Sequence, residues 1–359
     1  MTYQGFKNLT PFEGGMFLVP DPEGAMTLVL VAKATFRIQP GRAPRSAHDA
    51  PGLALADEQE PICTAPVYAG EPGKSSLRRE SEIVIGKPFA DVVLLGHAHP
   101  ERARDTSVDV SLRVGPLRKT ARAFGPRHWR RGIGAPSMSA PGPMDRVPLS
   151  FERAFGGWDT RDEDPSKHRA EPRNPIGAGF VHVDPAAGPA AFAGVDGIAL
   201  PSLEDPANPI RDVVDRPAPW AFGFVSPDWS PRRELAGTFD EAWRASRFPL
   251  APADFQAQHH NAAPADQQLR EIPEGAPVEI QNASASGPIA FELPRIALDA
   301  VALVDRARRS APMTMDTLVI DTDAMRVFAV MRAALRVHGQ IHDLEWAKIE
   351  PRKARGARR

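Results

Sequence analysis

Five carboxylates in the middle of this sequence stand close to aromatic residues: Glu152, Asp159, Glu204, Asp228 and Asp240. Two such groups facing each other across a tryptophan-lined cleft, about 5 to 10 Å apart, would suit glycoside hydrolysis, one as acid and the other as base or nucleophile. Arg153, Arg161, Arg173, Arg232 and Arg233 are interleaved with them, so the acids are expected to hold loops together as ion pairs. His97 and His99 would share one face of a strand and could hold a metal, but no third ligand falls at a telling spacing. His259 and His260 are neighbours on an expected short helix, where side chains diverge by about 100°, and cannot readily clamp one ion. Cys63, the single cysteine, is expected to be a buried small side chain. There is no GxxxxGK[ST], GxGxxG, GxSxG or HExxH pattern. No catalytic set, metal or cofactor is expected.

A second constellation is the pair FERAFGGWDT, residues 151 to 160, and EPRNPIGAGF, residues 171 to 180. Glycine permits backbone angles and close approaches that a side chain forbids, so paired glycines mark a tight turn or a crossing. Phe151, Phe155, Trp158 and Phe180 are expected to form one aromatic cluster. Gly156, Gly157, Gly177 and Gly179 would let two loops cross beneath it, with Asn174 and Pro175 in the same frame. Arg153 and Arg173 would tie the loops by ion pairs. Such a knot is structural first, and direct partner contact is the second reading. Trp220, Trp229, Trp243 and Arg232 are further contact candidates, because Trp and Arg concentrate at interface centres.

The elements that must position these residues read as strands. Val108, Val110, Leu112 and Val114 alternate with polar residues in TSVDVSLRVG, the mark of a half-buried strand. TLVLVAKATFRI, EIVIGKPF, DVVLLGHAH, RKTARAF and RVPLSFERAF follow the same logic, and so do PVEIQNA, PIAFELPRIALD, MTMDTLVID and RVFAVMRAALRV. The turn DTDA between the last two predicts a hairpin over 315 to 337. Helix is expected only in TFDEAWRASRF, capped by Thr238 or Asp240, and in PADFQAQHH, capped by Asp254.

The 38 prolines and 28 glycines disfavour long helices. The expected fold is mostly β: an antiparallel sandwich or barrel-like set of sheets, with a loop-rich, aromatic-rich middle and a few short helices. One elaborated domain over 1–350 is expected, with strands over about 15–155 and 276–340 flanking the middle at 156–275. The basic segment PRKARGARR, 351–359, is expected to be a disordered tail. With 44 Lys and Arg against 45 Asp and Glu, no net field draws the chain to nucleic acid or anionic membrane. MTYQGFKNLTPFEGG has no secretory pattern and no apolar run reaches membrane-spanning length, so the cytoplasm is the expected location.

PLSFERAFGGWD followed by NPIGAGF resembles the signature of a bacterial family long known only as a domain of unknown function. Its genes sit in type VI secretion clusters beside VgrG spike, PAAR tip and toxin-effector genes. VAKATFRI, SSLRRESEIVIGKPFADVVLLGHA, LRVG with AFGPRHW, IALPSLEDP, PAPWAFGFVSPDWSPR, GTFDEAWRASRFPLAPADF and NAAPADQQL are similar to further parts of that pattern, in its order, over about residues 15 to 337. Two positions depart from it: Ala178 stands where the family usually has a basic residue, and His260 where it has an aromatic. The resemblance implies a non-catalytic cytoplasmic adaptor or chaperone that binds a toxin effector and helps load it onto the VgrG or PAAR spike. It implies no nucleic-acid partner and no membrane insertion. A carbohydrate-active hydrolase and a structural part of the secretion apparatus are the alternatives.

Overall fold

The computed structural model describes residues 5–132, 135–304, 306–337 and 344–352. Its longest strand is Met26–Ile38, and Leu28, Val29, Leu30, Val31 and Ala32 there have no solvent exposure at all. A strand apolar on both sides belongs in the middle of a sheet covered on both faces. Met26–Ile38 sits so, in a seven-stranded sheet ordered Gln268–Leu269, Ala90–Leu95, Thr314–Asp321, Arg326–Arg336, Met26–Ile38 and Glu13–Pro20, with Leu53–Leu55 also paired to Met26–Ile38. The expected hairpin over 315–337 is present, with a register shift between Met315 and Thr317.

Ala90–Leu95 runs parallel to Thr314–Asp321, so the sheet is not wholly antiparallel. Parallel neighbours cannot be joined by a tight turn and need a long crossover. Here the connection contains the whole loop-rich middle, which returns to the sheet through the short strand Gln268–Leu269 on the far side of Ala90–Leu95.

A five-stranded sheet, ordered Leu203–Glu204, Leu117–Phe124, Ser107–Val114, Pro277–Gln281 and Ile289–Glu292, supplies the opposing layer. Val108, Val110, Leu112 and Val114 point inward and join Leu28, Leu30, Ala32 and Phe36 in one core. On the outer side Arg122 donates to both oxygens of Asp109 at 2.6 and 2.8 Å, an exposed cross-strand pair. A third sheet holds Phe6–Asn8, Leu344–Pro351, Leu298–Val304 and Ala307–Pro312. The protein is mostly β, with no closed barrel among the described residues.

Several expected elements are corrected. EIVIGKPF joins no ladder; Ile85 instead packs on Val29, Val31 and Val330 and covers the outer face of the seven-stranded sheet. RVPLSFERAF divides into Val147–Pro148, a 3-10 turn over Phe151–Arg153 and Phe155–Gly156, because its backbone serves three different neighbours. PADFQAQHH yields only a 3-10 turn, Ala257–His260, and Asp254 caps nothing there. Its carboxylate accepts from the Thr238 N–H and hydroxyl, at 2.9 and 2.8 Å. The helix in TFDEAWRASRF is Glu241–Ser246, capped by Asp240 rather than Thr238. Pro351 ends a strand and Arg352 donates to Asp299 at 2.8 Å, so the terminal segment is anchored at its start. The expectation for its remainder lies outside the described residues. Among the described residues no helix is long and apolar enough to cross a membrane.

Candidate functional site

The two glycine-rich segments do cross. Phe155–Gly156 pairs in parallel with Ala178–Gly179, and the side chain that locks the crossing is Asn174, which is fully buried. Its side-chain NH2 donates to the carbonyls of Phe151 and Phe155 at 2.8 and 3.0 Å, while the backbone carbonyl of Asn174 accepts from Gly157 N at 2.8 Å and Gly177 N at 3.2 Å. A buried residue that donates two side-chain bonds and accepts two on its backbone carbonyl fixes a loop much as a strand ladder would. A Cβ at Gly156 would stand 2.1 Å from the Asn174 carbonyl oxygen, and one at Gly157 would stand 2.5 Å from that of Gly177. Those two glycines also have φ of 150° and 95°. Pro175 follows Asn174 into the turn, and both belong to this backbone frame.

The aromatics do not gather into one cluster. Phe151 packs edge-on against Trp229 in the main core, with ring centroids 5.4 Å apart. Phe155 and Phe180 lie in a separate core with Trp129, Val181 and Leu200. Trp158 belongs to neither and is 58% exposed. The split follows the backbone: Phe151 stands in the 3-10 turn Phe151–Arg153, while Phe155 and Trp158 belong to two separate short strands, Phe155–Gly156 and Trp158–Asp159, that pair with different neighbours.

The expected ion pairs are also redistributed. Arg173 grips Glu171 within its own loop, at 2.7 and 2.9 Å, and Arg153 is exposed with no ion pair among the described residues. The fastener is Arg161: it makes a two-pronged bond to Asp159 and donates to the carbonyls of His182, Ala191 and Ala193. Burial pushes the Asp159 carboxyl up, but hydrogen bonds from Arg161 and from the Arg161 and His182 N–H groups outweigh it and hold Asp159 below the usual carboxylate range.

Each remaining carboxylate has a structural partner or stands alone. Glu152 accepts from Ser76 N and Oγ, at 2.7 and 2.5 Å. Glu204 is buried against Arg127, Asp240 caps the helix, and Asp228 is exposed. Among the described residues, none of the four main clefts is lined by two of the five acids. His97 pairs with Asp323 at 2.7 Å, and Cys63 is buried, its thiol donating to the Ala65 carbonyl at 3.0 Å. Burial pushes that thiol up, away from the nucleophilic thiolate.

The other contact candidates separate by exposure. Trp229 and Arg232 are buried. Arg232 donates to the carbonyls of Val225 and His259 and lies 2.6 Å from Glu80, so it pins the middle region to the segment covering the sheet. Trp220 is half-buried and donates its indole N–H to the Thr120 carbonyl at 2.8 Å. Trp243 is half-exposed and stands edge-on between Phe239 and Phe248, at 4.9 and 5.7 Å. Phe239 and Phe248 are 61% and 67% exposed, which makes these three rings a continuous apolar patch. The sequence signal for it was the aromatic at each end of TFDEAWRASRF, which a helix of six residues cannot turn inward.

A shallow groove of about 350 Å³ runs along Gly156, Gly157, Trp158, Gly177 and Gly179. It exposes glycine backbone beside the Trp158 ring. Residues 23–332 match the model of a family described as an uncharacterized protein conserved in bacteria, DUF2169. The chain belongs to this family. The DUF2169 match takes in the whole crossing, the aromatic patch and the seven-stranded sheet from near the start of Met26–Ile38 into Arg326–Arg336. No curated protein and no solved structure matches the chain.

Two bases in the DUF2169 region, the buried Lys119 and the half-buried His260, give testable pH behaviour. Lys119 points inward from the five-stranded sheet, 3.0 Å from Asp266 and 4.3 Å from the centre of the Trp220 ring. Burial lowers its pKa to about 8, against the opposing pull of Asp266. Between pH 8 and 10.5 the unfolded chain holds this proton more often than the folded one, so stability rises with pH there. The stability of wild type relative to Lys119→Met should therefore climb by roughly 3 kcal/mol from pH 7 to above 10. Urea unfolding of both proteins across that range checks it; a constant difference would show that Lys119 titrates normally.

His260 stands 5.2 Å from the Phe255 ring, and burial, reinforced by His259 and Arg232, lowers its pKa to about 4. Between pH 6.5 and 4 the unfolded chain binds the extra proton, so stability falls with acidification across this window. His260→Phe keeps the ring stack without the titrating group. It should lose less stability than wild type between pH 7 and pH 4, again by about 3 kcal/mol. Parallel acid-induced unfolding curves for the two proteins would count against this.

Proposed function

We propose that this protein is a non-catalytic adaptor that binds a toxin effector and assists its loading onto the VgrG or PAAR spike of a type VI secretion system. The near full-length run of motifs from VAKATFRI to NAAPADQQL carries the reading, and the place in a bacterial family is consistent with it. The exposed patch of Phe239, Trp243 and Phe248 supports a binding role, because exposed contiguous aromatics mark protein contacts more than they mark isolated monomers. Four of the five acids weighed for hydrolysis serve loops, a cap and ion pairs, and the fifth, Asp228, is exposed, so the adaptor is the stronger reading.

Such a protein acts by mass action: it binds the delivery-ready form of its client and raises that form's population. Affinity purification from the native cell should return a toxin together with a spike or tip protein, and deletion of the gene should lower intracellular toxin. Recovery with assembled tubes and no toxin would favour a structural part of the apparatus. A conservative change such as Asp159→Asn or Asp240→Asn that abolished killing while complex and client level stayed normal would favour the hydrolase.

A further inference from the structure

The segment over residues 77–87 covers the outer face of the seven-stranded sheet incompletely, leaving a half-enclosed cavity of about 270 Å³. Its apolar wall is made by Phe224, Phe328, Leu95, Val319 and Val67. The floor comes from four strands of the sheet, Met26–Ile38, Ala90–Leu95, Thr314–Asp321 and Arg326–Arg336, and the roof from the short ladder of Val67–Tyr68 with Leu77–Arg79 and the irregular chain that follows it. Apolar surface gathered in a concave site with a few directed polar groups is the usual make-up of a small-ligand pocket.

The charges around this wall are almost all matched. Lys33 is held by Glu82 at 2.8 Å and Lys87 by Asp91 at 2.7 Å, while Arg79 is held by Glu60 at 3.1 Å. Glu80 faces Arg232 at 2.6 Å, and Asp321 accepts the Ala324 N–H in the hairpin turn at 2.8 Å. Arg78 differs: it lines the cavity, is exposed, and makes no ion pair with the described residues. A cationic ligand would meet acids already engaged, whereas an anionic one meets a free guanidinium. A carboxylate suits that guanidinium best, through paired parallel hydrogen bonds.

We propose that this cavity binds a carboxylate carried on an apolar or aromatic group, the carboxylate at Arg78 and the apolar part against Phe224 and Phe328. The volume suits one amino-acid-sized group. The carboxylate could come from a free small acid or from the last residue of a polypeptide, which share this chemistry. The site stands on its own geometry and does not depend on the adaptor reading.

The test titrates the full chain with N-acetyl-L-phenylalanine and with its amide, followed by calorimetry or by NMR shifts. The acid should bind about tenfold or more tightly than the amide. Arg78→Gln, a change at an exposed side chain, should leave the melting temperature in place and abolish that preference. A tetrapeptide ending in phenylalanine, with free and with amidated C-terminus, then separates the two sources. A free acid that binds better than the peptide points to a small metabolite, and the reverse points to a chain end. Equal binding of acid and amide, no binding of either at millimolar concentration, or an undiminished preference in Arg78→Gln would each overturn the proposal.

Discussion

Gly156→Val is expected to remove the protein from the soluble fraction. The added Cβ would stand 2.1 Å from the Asn174 carbonyl oxygen and under 3 Å from that residue's own Cβ, at a backbone φ of 150° that a β-branched residue resists. Neither neighbour can retreat, because Asn174 is buried and holds three hydrogen bonds across the crossing. The cost should exceed about 4 kcal/mol, a large part of the roughly 5–15 kcal/mol by which a domain is stable. Gly223→Ala is the control, since a Cβ there meets nothing within 4 Å. Asn174→Ala probes the same lock from the other side by withdrawing two donors from buried carbonyls, at about 1–3 kcal/mol each. Soluble yield, circular dichroism and denaturant midpoints measure all three. A Gly156→Val protein with the wild-type midpoint would show that the crossing is not where the stability lies.

Phe239→Ala combined with Phe248→Ala should weaken partner capture by about 1–4 kcal/mol per residue if the patch lies at the centre of the contact. The fold should be unaffected, because both rings are more than half exposed and the Glu241–Ser246 helix buries none of its residues. Trp229→Ala and Arg232→Ala are unsuitable probes of contact. Either would open the core or break the tie to Glu80, and lost binding would then report lost structure. Trp158→Ala is the companion variant for the glycine-lined groove. Quantitative pull-down with the effector recovered from the native cell, at matched melting temperatures, measures these effects. Undiminished capture by the double variant would move the contact elsewhere, with the groove beside Trp158 next to be tested.

By itself the sequence determined the class of the fold and most of its strands, because period-two alternation and continuous apolar runs are local patterns tied to burial. The hairpin over 315–337 and the half-buried strand at 107–114 are of this kind, whereas the choice of Asp240 over Thr238 as helix cap was made by the structure. It also marked the glycine pairs as a crossing, since a glycine's freedom is a property of one residue. Leu344–Pro351 escaped notice although LEWAKIEP alternates, and EIVIGKPF was misread as a strand although it covers a sheet. Apolar spacing says that a segment is covered, not whether its backbone finds a ladder partner. Tertiary structure alone decided which side chains meet. It put Phe151 and Phe155 into different cores, left Trp158 outside and made Arg161 rather than Arg153 the fastener. It also left Arg78 free at the mouth of a cavity whose lining comes from segments up to 295 residues apart, Lys33 and Phe328. Such meetings depend on the path of the loops between strands, and that path is set by long-range packing that no local window contains.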